Sequence, residues 1–273
     1  MSTRNLTRQS LMLRNLAETM VQALAPLKAA SGRLKYLSPF PRRFNGAYES
    51  YEKAMEAAGR TALAGYDNDE VTDVSFDQMC KIAPWDYPVL FWLNKLEAEL
   101  DGLVDAGGHM GTKYRAFRNH LSPKPSFRWI VYDVAAVVRA GRARAQREDC
   151  PGLEFVDDIS LADDVQLFLG SGLLQYLDKP LSQLISSMRT RPRHLLLNKV
   201  ALRKGPEVVT LERIGPALVP YRMRNEAAFM RNVCQLGYKL VDRWSIPSLS
   251  HVVETHPELG ASESAGFYFR LDS

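Results

Sequence analysis

The sequence has little of several things that would settle its class at once. No apolar run approaches the roughly 20 residues of a bilayer-spanning helix, so no membrane is expected as a partner. Its three cysteines, Cys80, Cys150 and Cys234, are odd in number and far apart, and no C-x-x-C pair suggests zinc or thiol-redox chemistry; a cytoplasmic, reducing compartment fits them. The five histidines have no helical i, i+4 ligand spacing and no accompanying acid cluster, so no metal is expected. Charge of one sign is also scarce in excess: 35 basic against 31 acidic residues leave +4, too little to argue for nucleic acid. The basic runs "RLKYLSPFPRRF" and "SMRTRPRH" lack the interleaved aromatic and glycine pattern of RNA-binding motifs and read as solvated surface. Internal repeats and low-complexity tracts are absent.

What is present is ordinary globular composition, 46% hydrophobic and 24% charged, in a chain of 273 residues that can bury a substantial core. The first twenty residues lack acids until Glu18 and loosely resemble an organellar presequence. An amphipathic helix with Leu6, Leu11, Leu13 and Leu16 near one face explains them as well and is the preferred reading. Residues 1–100 read as helical segments punctuated by Pro39, Pro41, Pro84 and Pro88, without a convincing strand, and form a helical N-terminal cap or lid. From residue 101 to 273 the rhythm changes to short apolar runs separated by helix-length stretches: "LVDAGG", "FRWIVYDV", "LEFVDD", "VQLFLGSG" and "HLLLNKVAL". That alternation is the pattern of parallel strands joined by crossover helices. The third connection, "ISLADD", holds only a turn of helix. "EVVTLERIG" looks like an extended excursion, "NEAAFMRNVCQLG" like a helix closing at Gly237, and "YKLVDRWSI" and "GFYFRL" like strands.

The stretch "LVDAGGHMGTKY" carries the first functional signal. An acid closing a strand, then a glycine-rich turn into a helix, brings backbone N–H groups toward a ligand. The dinucleotide fingerprint G-x-G-x-x-G fits Ala106, Gly108 and Gly111 with its first glycine replaced. The acid-x-G-x-G-x-G pattern of S-adenosylmethionine (SAM) enzymes fits Asp105, Gly107 and Gly111, with His109 at the middle glycine. "WIVYDV" ends on Asp133 and Val134, about 20 residues on, where a carboxylate can accept both ribose hydroxyls. Asp157 and Asp158, at the tip of the third strand, can hydrogen-bond an adenine amino group. The helix, strand and terminal strand after the fifth strand favour SAM over a dinucleotide, because SAM enzymes have a seven-stranded Rossmann-like sheet whose last strand runs antiparallel. The expected fold is therefore α/β, a class I SAM-methyltransferase sheet of seven strands with the helical cap.

Eight segments in order, "FNGAYESYEKAMEAA", "AGYDNDEV", "LVDAGGHMGTKY", "WIVYDV", "LEFVDDISL", "GSGLLQYLDKPLSQL", "LLLNKV" and "LGYKLVDRWS", resemble a SAM-dependent methyltransferase family of bacterial polysaccharide and natural-product clusters. Within it, a few members cyclise SAM itself to azetidine-2-carboxylate and release methylthioadenosine. The sequence departs from the family at His109, where glycine or serine is more common, and at Asn198 and Lys199, where an acid–arginine pair is common.

Ligands of open α/β sheets lie outside the carboxyl ends of the strands, which brings Ser171, Gly172, Gln175, Tyr176, Asn198 and Lys199 into consideration. A methyltransferase that deprotonates its acceptor wants an acid or histidine there. The sequence offers an amide and a phenol, Asn198 and Tyr176, which can orient an amine without abstracting much proton. Together with the resemblance, which implies that activity for a few members, this makes an azetidine-2-carboxylate synthase the leading expectation, with Tyr176 and Asn198 catalytic and Asp105, Gly107, Gly108, Gly111, Asp133, Val134, Asp157, Asp158 and Ser171 binding SAM. The alternative is an O- or N-methyltransferase of a small natural product or sugar, and a third reading is a catalytically silent SAM-binding protein. Small molecules are the expected partners, and a homodimer is compatible with the sequence.

Overall fold

The computed structural model describes residues 20, 23–34, 43–59, 76–150, 152–215 and 217–272. The amphipathic helix expected around Leu6 to Leu16 lies outside them.

The apolar runs form strands β2 (Gly102–Ala106), β3 (Arg128–Tyr132), β4 (Leu153–Val156), β5 (Leu167–Ser171) and β6 (His194–Arg203), all parallel, in the order β4–β3–β2–β5–β6. Beyond β6 lies β10 (Glu263–Leu271), antiparallel to it, and then β9 (Tyr238–Ser245), antiparallel to β10. Both faces are covered, so the central strands are continuous apolar runs rather than alternating ones. Val104, Ile130, Phe168, Leu195 and Leu197 pack toward the helices Leu181–Ser187 and Glu226–Gln235. Leu103, Val131, Leu167, Leu169 and Leu196 pack toward the opposite side, against the helices Tyr87–Leu96 and Ala135–Glu148. The third connection holds a single 3-10 turn, Ile159–Leu161, and the helix expected to close at Gly237 spans Glu226–Gln235.

Two expectations are corrected. The sheet has ten strands, not seven, and the N-terminal hundred residues are not purely helical. β1 (Phe44–Tyr48) pairs with β7 (Val208–Ile214), and β7 forms an antiparallel pair with β8 (Ala217–Asn225). β1 was hidden because "FNGAY" is short and interrupted by Gly46, which has φ +79°, and its pairing with β7 changes register between Asn45 and Tyr48. The extra sheet joins the main one where β8 meets β6, at Leu202↔Arg224 and Arg203↔Asn225. β10 occupies the other edge of β6 at Leu202, so β8 takes the edge that β5 vacates after Ser171↔Asn198. The three strands therefore stand beyond the carboxyl ends of the parallel strands, the side on which open α/β sheets bind ligands.

The helix Tyr87–Leu96 belongs to the part of the chain expected as a cap. Its Val89, Leu90, Leu93 and Leu96 share one buried cluster with Leu103, Trp129 and Leu167, so this helix forms part of the layer covering the sheet.

Candidate active site

β2 delivers Asp105 and Ala106 into the glycine turn. Gly107 (φ +71°) donates its N–H to Tyr132 O at 2.8 Å, and Gly111 (φ +77°) precedes the helix Thr112–Phe117. A Cβ on Gly107 would lie 2.8 Å from Leu173 Cδ1, and one on Gly108 would lie 2.6 Å from Asp105 Cγ, so neither position admits a side chain without displacement. His109 also has positive φ, +57°, and its ring is buried near Phe76, with ring centroids 6.3 Å apart. The residue that stands where the family more often has glycine or serine is thus packed against its neighbours and does not point to solvent.

Asp133 ties the turn to the tip of β3. Its Oδ2 accepts the His109 N–H at 2.9 Å and its Oδ1 accepts the Val134 N–H at 2.8 Å. The carboxylate thus stands at the mouth of the turn, fixed by backbone N–H donors. Val134 precedes the helix Ala135–Glu148 and is 38% exposed, an apolar surface beside the acid. Asp157 and Asp158 are exposed at the tip of β4 and, with Tyr132, Ile159, Lys179 and Gln183, line a cavity of about 360 Å3. Asp158 Oδ1 accepts the Ser160 N–H at 2.9 Å, and this bond holds its pKa below the ordinary value.

Asp105 itself is buried, and Trp129 Nε1 donates to its Oδ2 at 3.2 Å. Burial pushes its pKa up to about 7, against that hydrogen bond and the charges of Lys113 and Lys199. Lys113, from the helix after the turn, pairs at 2.7 Å with fully buried Asp86, whose Oδ2 also accepts the Ala83 N–H at 3.0 Å.

At the tips of β5 and β6 the amide of Asn198 is consumed by protein. Its Nδ2 donates to Trp85 O (3.2 Å) and to Ser171 Oγ (3.3 Å), and its Oδ1 accepts from Trp244 Nε1 (3.1 Å). Trp244 reaches it across Gly266, where a Cβ would fall 2.0 Å from the indole. Tyr176 turns elsewhere: its hydroxyl donates at 2.7 Å to Glu212 Oε2 on β7, while Arg43 Nε donates at 2.6 Å to Glu212 Oε1. Glu212 is only 1% exposed. Tyr176 and Asn198 therefore serve two separate clusters rather than one.

Two side chains that the sequence placed at the strand ends without a role gain importance. Lys199 has φ +58° and is half-buried, and the point a Gly172 Cβ would occupy is 2.9 Å from its Nζ. Its ammonium thus lies over the end of β5. Burial lowers its pKa to about 8, nearby Lys113 adding to the shift while Asp86 and Asp105 oppose it. Gln175 lies against the same point, its Nε2 3.7 Å away, and its Oε1 is buried without a hydrogen-bond partner. A lysine closing the apolar run "LLLN" was the available signal for Lys199; Glu212 had none, because its partners come from distant segments. Among the described residues no three His, Cys, Asp or Glu side chains gather as a metal site requires, and no helix is long and apolar enough to cross a membrane.

No protein-family model matches the chain, and no curated protein matches it. Solved structures do. The N-terminal domain of EvdMO1 with SAH bound aligns over 70% of this chain and 83% of its own, at 10% identity and a TM-score of 0.50. OxaC in complex with sinefungin and meleagrin aligns over 76% of this chain and 53% of its own, at 17% identity and a TM-score of 0.50. The glycopeptide N-methyltransferase MtfA complexed with SAM is 13% identical, covers 63% of this chain and 87% of its own, and has a TM-score of 0.43. The chain has the class I SAM-methyltransferase fold.

Proposed function

We propose that the chain is a SAM-dependent methyltransferase that acts on a hydroxyl or amine of a small molecule, a natural product or a sugar. The glycine turn carries this reading. Asp105, Gly107, Gly108 and Gly111 form a tight cradle at the tip of β2, and Asp133, at the tip of β3, is bonded to the turn's own backbone. The fit to SAM is chemical as well as topological: the Asp133 carboxylate at the tip of β3 for a ribose diol, exposed Val134 for an apolar ring face, and Asp157 and Asp158 beside a cavity for an amino group. EvdMO1 with SAH and OxaC with sinefungin and meleagrin, which share the fold, support a nucleoside site beside a small-molecule site.

When bound, SAM supplies a methyl group on a sulfonium. The chain's own contribution begins with Lys199, whose amine is partly neutral near pH 8 and can take the proton of an acceptor O–H or N–H. Gln175 Oε1 offers that group a hydrogen-bond acceptor. Ser171 and Asn198, locked by Trp85 and Trp244, fix the strand tip beneath it, and Tyr176 with Glu212 walls the side toward the extra sheet. Ring closure of SAM rested on the resemblance and on the lack of a base at these tips. With Lys199 as a base there, the second ground falls away. Action in a reducing cytoplasm fits the three free cysteines.

Titration calorimetry with SAH, followed by mass spectrometry of SAM incubations with and without a panel of phenols, catechols and amino sugars, tests the reading. SAH formed only with an acceptor is the expected result. Methylthioadenosine and azetidine-2-carboxylate from SAM alone would replace it with the cyclase, and SAH binding without turnover with a binding protein. No SAH binding would refute all three.

A further inference from the structure

A second cavity lies away from the glycine turn and shares no lining residue with it. It has a volume of about 230 Å3 and opens between the ends of β7 and β8 and the helices Leu181–Ser187 and Glu226–Gln235. Arg222 and Arg224, two apart on β8 and so on one face of the strand, both line it. Arg224 is 9% exposed, its Nη1 is buried without a hydrogen-bond partner, and it makes no ion pair with any described residue. Arg222 spends Nη1 on Glu207 at 3.0 Å and Nη2 on Asp178 at 3.3 Å, and its Nε is also buried and unpartnered. Glu207 is the acid among the lining residues and it is engaged by Arg222. The helix Glu226–Gln235 begins at the same place, capped by Asn225 Oδ1 accepting the Ala228 N–H at 2.9 Å.

A buried, unpaired guanidinium is among the costliest groups a fold can carry, and it is retained where an anion completes it. Burial, with the like charge of Arg222, depresses even the arginine's pKa, to about 10, and Glu207 nearby only partly opposes it. The charge is positive, the donors are guanidinium N–H groups, and a helix N-terminus adds favourable potential. A carboxylate would be filled by the fork of one arginine. Two unpaired donors from different arginines suit a tetrahedral oxyanion, which accepts from several directions. We infer that this cavity is a phosphate-binding site, built by Arg224 and Arg222, that receives inorganic phosphate or the phosphate of a small monoester.

The inference does not depend on the reading of the glycine turn. Its test is titration calorimetry and thermal melting of the full chain at low, matched ionic strength, with inorganic phosphate, phenyl phosphate and acetate as probes. One equivalent of phosphate or phenyl phosphate should bind and raise Tm. Tighter phenyl phosphate would point to an organic monoester as the source, equal affinity to free phosphate. Arg224→Met should weaken binding at least tenfold and leave SAH affinity unchanged. Should that variant fail to fold, Arg224→Lys, which keeps the charge and loses the fork, should still weaken it severalfold. Failure of both phosphate probes to bind the unaltered chain, acetate binding as tightly as phosphate, or unchanged phosphate affinity in the Arg224 variants would overturn the assignment.

Discussion

Replacing Asp105 by asparagine should make the protein more stable and less able to bind SAH, and the gain in stability should depend on pH. In the folded chain this carboxyl ionises at about 7 against 3.8 in its ordinary state. Below pH 3.8 the folded and unfolded forms both hold the proton and the acid costs nothing. Between 3.8 and 7 the unfolded form releases it while the folded form keeps it, so stability falls as pH rises; above 7 the loss is complete. A shift of about three units at roughly 1.4 kcal/mol each bounds that loss at about 4 kcal/mol.

Asparagine is nearly isosteric and its Oδ1 can keep the Trp129 bond, but its amide N–H groups enter a site where unsatisfied donors cost about 1–3 kcal/mol. The expected net gain at pH 8 is thus roughly 1–3 kcal/mol, shrinking to nothing or reversing near pH 4. Urea unfolding of both proteins from pH 4 to pH 8 measures it, with calorimetry reporting SAH affinity at pH 8. A difference that stays flat across that range would refute the reasoning, because the cost of Asp105 would then not be its buried charge. Unchanged SAH affinity would remove the acid from the cofactor site.

Asp133→Ala removes the carboxylate that holds the His109 N–H, and SAH binding should weaken by roughly 2–3 kcal/mol, about 30- to 140-fold in Kd, measured by calorimetry. Lys199→Gly should fold at least as stably as the parent, since φ +58° suits glycine, yet lose methyl transfer by about 10²–10⁴-fold at nearly constant SAH affinity. In the parent the rate should rise with pH through about 8, as the amine becomes neutral, and a profile flat from pH 6 to 9 would exclude Lys199 as the base. Trp244→Phe strands Asn198 Oδ1 in a buried site and should cost about 1–3 kcal/mol in urea unfolding.

How much of this was legible follows from where each contact comes from. Strands β2 to β6 announce themselves because helices cover both faces, so each is a plain apolar run, and the glycine turn with Asp133 is written within some thirty residues. β1 and the burial of Glu212 were not legible. "VVTLERI" gives no sign that its acid points inward, because Tyr176 is 36 residues away and Arg43 is 169. Helix Tyr87–Leu96 read as cap for a similar reason: its apolar face is plain, but what it covers lies beyond residue 100.

The tip of β6 shows most clearly how one irregularity of a strand redirects two neighbouring polar side chains. Leu195 and Leu197 face one core cluster, and in an unbroken strand residue 199 would follow them into it. Instead Val200 and Leu202 join that cluster, so the parity changes between Leu197 and Val200. The pairing with β10 gives the cause: Leu197 faces Phe267 and Val200 faces Ala265, leaving Asn198 and Lys199 opposite the single Gly266, a bulge whose second residue takes the left-handed conformation. One extra residue thus releases both side chains from the core. The same glycine that the bulge faces lets Trp244 cross and claim the Asn198 amide, while Lys199 swings over Gly172 toward Asp105. Period-two alternation read from "HLLLNKVAL" cannot reveal this. The polar pair marks the strand end, but only the bulge sends the amide to Trp244 and the amine over Gly172.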